Sequence, residues 1–197
     1  MRKIIFFNHT SLDGFVAGPN GEMEWVHLPD SLFDFVGILT DQADTALYGR
    51  ITYEMMHNYW PTAGKKHDAT EHDKKHSAWY NRVSKIVVSK SLKDKDLKDI
   101  TVIPGKIAEN ITKIKQQEGK NVLIFGSISV LQSLLNEDLI DEFYLSVNPI
   151  LLGSGKPLFK GITKPKKLKL SDSNIFPEGL ILLHYVNEGH GEAKREN

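Results

Sequence analysis

The run Val122-Leu123-Ile124-Phe125-Gly126-Ser127-Ile128 sets four consecutive large apolar residues ahead of a glycine and a serine. Behind it, Ile128, Leu131, Leu134 and Leu135 recur at helical spacing. A short uninterrupted apolar run suits a strand covered on both faces, as in a parallel sheet lying between helices. The same alternation extends outward in both directions. Residues 3–7 read as a buried strand that ends in the polar segment Asn8-His9-Thr10-Ser11. Thr45-Ala46-Leu47-Tyr48 is a short strand that stops at Gly49, and Arg50 opens a helix running to about His57. Ile86-Val87-Val88 is a β-branched strand, and Ile107, Ile111 and Ile114 form one helix face. Leu32, Phe33, Phe35, Val36 and Leu39 predict a further helix, with Asp30 or Ser31 as its cap. Residues 58–82 are polar and read as a long excursion with a helical part. Residues 142–147, 167–170 and 180–186 are strand-like with little room for helices between them, so the sheet should finish antiparallel. The expectation is an α/β fold with one mixed, mostly parallel sheet. It forms a single domain over residues 1–187, followed by a frayed polar tail at 188–197.

Composition narrows the function classes. The chain has 197 residues, 25 Lys plus Arg and 25 Asp plus Glu, for a formal net charge of zero. A protein this long buries roughly 70% of its unfolded surface and needs no staples. Zero net charge argues against a nucleic-acid or membrane-surface partner, which usually needs a basic excess. It leaves room for a local anion site. There is no cysteine, which excludes disulfides, thiolate zinc sites and a cysteine nucleophile. No stretch approaches the ~18–20 apolar residues of a membrane span, and the N-terminal apolar run is too short for a signal peptide. The expected location is the cytoplasm.

Two strand-to-helix junctions stand out, Tyr48-Gly49-Arg50-Ile51-Thr52 and Phe125-Gly126-Ser127-Ile128. In each, exposed N–H groups and the positive end of a helix dipole could face an anion, and glycine permits close approach. If the strands are parallel, both junctions lie at the edge where open α/β sheets bind ligands. Around one pyrophosphate they would make a dinucleotide site; otherwise glycine is a tight turn and serine a cap. A third strand end, Ser89-Lys90-Ser91, pairs hydroxyls with a cation. An acid there would accept from a ribose 2′-hydroxyl, whereas Lys90 favours a 2′-phosphate, unless it is a solvated turn residue. Tyr53, Met55, Met56, Tyr59 and Trp60 could wall a flat heterocycle or pack a helix on the core. His67, His72 and His76 read as a solvated helix face, and no metal site is expected. The lysines at 160, 164, 166, 167 and 169 read as a solvated hairpin.

Taken in order, these segments carry a resemblance. They are Ser11-Leu12-Asp13-Gly14-Phe15-Val16-Ala17, Gly49-Arg50-Ile51-Thr52-Tyr53-Glu54, Lys85-Ile86-Val87-Val88-Ser89, Gly126-Ser127, Leu139-Ile140-Asp141-Glu142 and Pro149-Ile150-Leu151-Leu152-Gly153-Ser154-Gly155. Over residues 3–186 the chain resembles the dihydrofolate reductase-like superfamily, in the branch of the C-terminal reductase domain of bacterial riboflavin biosynthesis. The resemblance implies a twisted, mostly parallel sheet flanked by helices and antiparallel at its C-terminal end, with NADPH as hydride donor. It puts Gly49, Arg50 and Thr52 on the pyrophosphate and Ser89 with Lys90 at the adenosine 2′-phosphate. Val16 and Ala17 match the loop near the nicotinamide. Gly126 and Ser127, with Ile128 after them, match a glycine pair whose second member is serine here.

In true dihydrofolate reductases a single carboxylate after a Trp…Leu-Pro segment binds the pterin. Trp25…Leu28-Pro29-Asp30 resembles that segment, so the resemblance makes Asp30 the first candidate for a substrate-orienting acid, with Asp13 the second. The alternatives are a helix cap and a turn former. The implied function is hydride transfer from NADPH to a small flat heterocycle, pterin-like or ribosylaminopyrimidine-like. The other reading is a non-catalytic NADP-binding or regulatory protein of the same fold. A homodimer through the C-terminal strands is implied by the resemblance alone.

Overall fold

The computed structural model describes residues 1–92 and 100–190. Its elements in chain order are β1 (Ile4–Ser11), β2 (Phe15–Ala17), α1 (Asp30–Asp41), β3 (Ala43–Gly49), α2 (Arg50–Ala63), α3 (Glu71–Arg82), β4 (Ser84–Val88), β5 (Ile100–Ile103), α4 (Ile107–Gln116), β6 (Asn121–Phe125), α5 (Ile128–Leu135), β7 (Glu142–Asn148), β8 (Lys156–Pro157), β9 (Leu168–Ile175) and β10 (Ile181–Asn187). Eight strands form one sheet in the order β5-β4-β3-β6-β1-β7-β10-β9. Every neighbouring pair from β5 to β7 is parallel, and β10 runs antiparallel to both β7 and β9. The mixed sheet with its antiparallel finish is the architecture expected from the sequence.

The apolar run of β6 divides its side chains between two cores, which is why it shows no polar alternation. Val122 and Ile124 join Ile4 and Phe6 against α4 and α5, represented by Ile111, Leu131 and Leu134. Leu123 and Phe125 join Ile5 and Phe7 against α1, α2 and α3, represented by Leu32, Tyr53 and Trp79. Register pairs Ile4 with Val122 and Phe7 with Phe125, so both cores continue across the strand boundary.

Three local readings differ from expectation. Helix α1 is preceded by Pro29 as its N-cap residue, with no side-chain cap; Asp30 is its first residue, where an acid complements the helix dipole. Residues 58–82 are mostly helical: α2 runs through Pro61 to Ala63, and Thr70 with Asp73 forms a capping box for α3. His76 is buried among Trp60, Trp79 and Phe125, so the solvated-face reading fails there. The edge strand β5 carries no strong sequence signal. The tail beyond residue 190 lies outside the described residues.

A two-stranded ribbon, β2 with β8, ties the loop after β1 to the loop after β7. Asp13 clamps it, accepting from the backbone N–H of Leu152 and, at 2.7 Å, of Gly153. Gly155 lies so close to Ala17 that a Cβ there would stand 2.2 Å from the Ala17 carbonyl oxygen. The glycines of Leu152-Gly153-Ser154-Gly155 thus serve the closure of this ribbon. No described helix is long and apolar enough to cross a membrane.

Candidate functional site

From β1 the chain passes to β3, leaving a place that β6 fills later, so successive crossovers diverge between them. That reversal is where parallel sheets open a crevice at the carboxyl ends of their strands. A cleft of about 640 Å³ lies there. Its walls come from the ends of β1, β3, β4 and β6, with Val16 and Ala17 of the ribbon closing one side.

At its centre the starts of α2 and α5 meet. The Gly49 N–H donates to Ser127 Oγ at 2.8 Å. A Cβ on Gly49 would stand 3.1 Å from Ser129 Oγ, a tight fit that glycine relieves where the two helix starts meet. Gly126 (φ 60°) and Ser127 (φ 57°) are both left-handed. For serine that conformation carries a cost, offset here by the bond to Gly49. Neither helix has a side-chain cap, so first-turn amides are left for whatever enters. Thr52 and Ile128 line the cleft beside them.

Arg50 borders the cleft half-exposed, donating to both carboxylate oxygens of Glu54 at 2.8 and 3.0 Å. At the end of β4, Ser89 is buried and its Oγ accepts from the backbone N–H of Ser91 and Leu92. That turn leaves Lys90 exposed at the cleft mouth. Lys156 joins from the ribbon side. Among the described residues lining the cleft, Arg50, Lys90 and Lys156 are the cations and there is no carboxylate. The molecule as a whole is neutral, but this cleft is not.

All ten residues expected on the cofactor side line this cleft: Val16, Ala17, Gly49, Arg50, Thr52, Ser89, Lys90, Gly126, Ser127 and Ile128. The two acids expected on the substrate side do not. Asp30 borders a separate groove between α1 and α3, with Asp34, Phe33 and His72. Asp13 is held in the ribbon clamp, where the Ser11 hydroxyl and then the Gly153 and Leu152 amides lower its pKa. Asp30 opens α1, which packs on α3, and Asp13 sits in the turn before the ribbon; sequence order reveals neither placement.

Several lining residues lay outside the sequence reading of the site. Phe7, Asn8 and His9 come from β1, and Met23 comes from the loop before α1. His9 is held neutral, its pKa pushed down to about 4 by burial. The one sequence signal for Asn8 and His9 is their position, polar residues at the carboxyl end of a buried strand. Of the aromatic and methionine stripe, Met55 and Met56 face the cleft whereas Tyr53 packs in the core.

Comparison with known proteins decides the family. The model of the RibD C-terminal domain matches residues 2–182. The chain belongs to the RibD C-terminal domain family. The uncharacterized protein YyaP of Bacillus subtilis (strain 168) is 33% identical over 186 residues, covering 93% of this chain and 94% of YyaP. Among solved structures, the diaminohydroxyphosphoribosylaminopyrimidine deaminase/5-amino-6-(5-phosphoribosylamino)uracil reductase of Thermotoga maritima aligns with TM-score 0.66 at 14% identity. The alignment covers 94% of this chain and 56% of that one. Dihydrofolate reductase from Enterococcus faecalis, complexed with NADP(H), aligns with TM-score 0.61 at 17% identity, covering 94% of this chain and 96% of that one. This RibD C-terminal domain thus has a dihydrofolate reductase-like fold, and its family is of reductase type. Among the described residues no group of three or more His, Asp or Glu could hold a metal.

Proposed function

We propose that this RibD C-terminal domain is an NADPH-dependent reductase acting on a small flat heterocycle, pterin-like or ribosylaminopyrimidine-like. The observation that carries the reading is the cleft itself: two uncapped helix starts, three cations and no lining carboxylate at the switch point of a parallel sheet. Such a surface suits a polyanion. In this reading Gly49, Arg50, Thr52, Gly126, Ser127 and Ile128 hold the pyrophosphate. Ser89 and Lys90 face the adenosine 2′-phosphate, and Val16 and Ala17 flank the nicotinamide. The reduced nicotinamide supplies the hydride; the chain supplies position and dryness. Phe7, Met55, Met56 and Phe125 give the cleft an apolar floor that excludes water from the reacting centre. Asp30 and Asp13, lying outside the cleft, are left without a part in proton delivery.

The absence of a lining carboxylate also supports the second reading, an NADP-binding protein without turnover. Oxidation of NADPH, followed by absorbance against a panel of dihydropterins and aminopyrimidines, separates the two. Turnover with any member supports the reductase; NADPH binding with none supports the alternative. A cytoplasmic location belongs to the same proposal. So does a homodimer, for which the exposed edge strand β9 offers Leu170 and Ile175.

A further inference from the structure

His9 has no part in the phosphate and nicotinamide contacts above, yet it borders the cleft. It lies on β1 on the same face as Phe7, whose ring meets its own edge-to-face at 5.2 Å. Its Nδ1 is enclosed and has no hydrogen-bond partner. On the adjacent parallel strand β7, the register partner of His9 is Ser146. Ser146 is fully buried, and its Oγ also lacks a partner. Register partners on parallel strands send their side chains to the same face of the sheet. Two enclosed polar atoms left unsatisfied side by side are costly singly and complementary together. A hydroxyl on a register partner can donate to an imidazole lone pair, directly or across one water.

That pairing has a consequence for the ring. If Nδ1 accepts from Ser146, the single proton of a neutral imidazole resides on Nε2. Burial keeps the ring neutral at pH 7, since its pKa lies near 4. With Nδ1 sealed, the Nε2 edge is the polar edge by which His9 can address the cleft. We propose that Ser146 fixes His9 as its Nε2–H tautomer, and that this N–H is the donor by which the cleft recognises an amide-type carbonyl of a flat heterocycle. The identity of the ligand rests on the reductase reading; the tautomer does not. Two carbonyls share this chemistry, the nicotinamide carboxamide and the lactam of a second heterocycle.

Long-range 1H–15N NMR of the ¹⁵N-labelled full chain at pH 7 tests both halves. In the free protein the His9 ring should give the Nε2–H pattern, and Ser146→Ala should convert it to a mixture of tautomers while the amide spectrum stays dispersed. NADPH and 7,8-dihydropterin are then added in turn, with saturation followed by tryptophan fluorescence. A shift of the His9 Nε2–H with NADPH assigns the carboxamide, and a shift with the dihydropterin alone assigns the lactam. His9→Phe should weaken that same ligand about tenfold, the worth of one good hydrogen bond, and His9→Gln, which keeps an N–H donor, should restore part of it. An Nδ1–H or protonated His9 at pH 7, or a tautomer indifferent to Ser146→Ala, overturns the pairing. Saturation by both ligands with the Nε2–H unmoved overturns the donor role. A flat fluorescence titration with both ligands counts instead against the reductase reading and removes the ligand from the proposal, while the free-protein spectra still decide the Ser146–His9 pairing.

Discussion

Ser127 shows how one residue can join two elements. It occupies the left-handed region at the start of α5, and its Oγ takes the buried N–H of Gly49. Ser127→Ala keeps the strained backbone and loses the bond, so urea unfolding should show a loss of about 1–3 kcal/mol. Ser127→Gly also loses the bond but relieves the left-handed cost of about 1–2 kcal/mol, and should be the milder change. Equal stabilities for the two variants would contradict this account. His76 makes a second prediction at the same scale. Burial, with a smaller contribution from His72, lowers its pKa to about 3. The unfolded chain, with an ordinary histidine value near 6.5, therefore binds a proton that the folded state refuses. Stability from this group is fully present above pH 6.5 and is lost as pH falls from there toward 3, at up to about 1.4 kcal/mol per pH unit. His9 adds in the same direction down to about pH 4. Measured by unfolding at a series of pH values, His76→Phe should flatten that slope by close to one proton. An unchanged slope would mean that His76 titrates normally. Residues such as Gly49 and Arg50 were legible in the sequence because they directly follow a strand. The His9–Ser146 pairing was not, because register between distant strands is written in no local pattern.

Among the elements, the ribbon β2–β8 explains more of the sequence than its size suggests. Asp13, Gly153 and Gly155 are spent on closing it: a carboxylate on two amides and a backbone that tolerates no Cβ. The same residues, read in sequence, offered Asp13 as a substrate acid. Nothing local distinguishes an acid that receives substrate from one that receives backbone amides. Asp13→Ala should therefore speed hydrogen exchange at the Leu152 and Gly153 amides well beyond any change at β6. Unchanged exchange at both amides would remove the clamp. The central strands and α5 were legible because their apolar runs and glycine stops have one reading. Strand β5 and the late turn of α2 were not: the first is a four-residue edge and the second runs through Pro61. Proline there gives up the bond to the His57 carbonyl and crowds it, and tertiary packing of α2 on α3 and the core overrides that breaker signal.

Over the whole molecule, neutrality conceals an uneven field. Twenty-five cations match twenty-five anions, yet the described cleft lining holds Arg50, Lys90 and Lys156 without a carboxylate. Composition excluded a broad basic surface and could not see this patch, because it assembles from the ends of strands far apart in the chain. The exposed β9 edge is the other whole-molecule feature. Light scattering after size exclusion should give twice the 22.3 kDa chain mass, and Ile175→Lys should reduce it to one. A monomeric wild type would end the dimer proposal. The central claim is that the cleft takes a phosphorylated nicotinamide dinucleotide, and a paired titration with NADPH and NADH, followed by the fluorescence of the three tryptophans, tests it most directly. The account predicts that NADPH binds at least about tenfold more tightly than NADH, and that Lys90→Ala removes most of that difference while leaving NADH almost unchanged. Equal affinities for the two dinucleotides, or no binding of either, would contradict it.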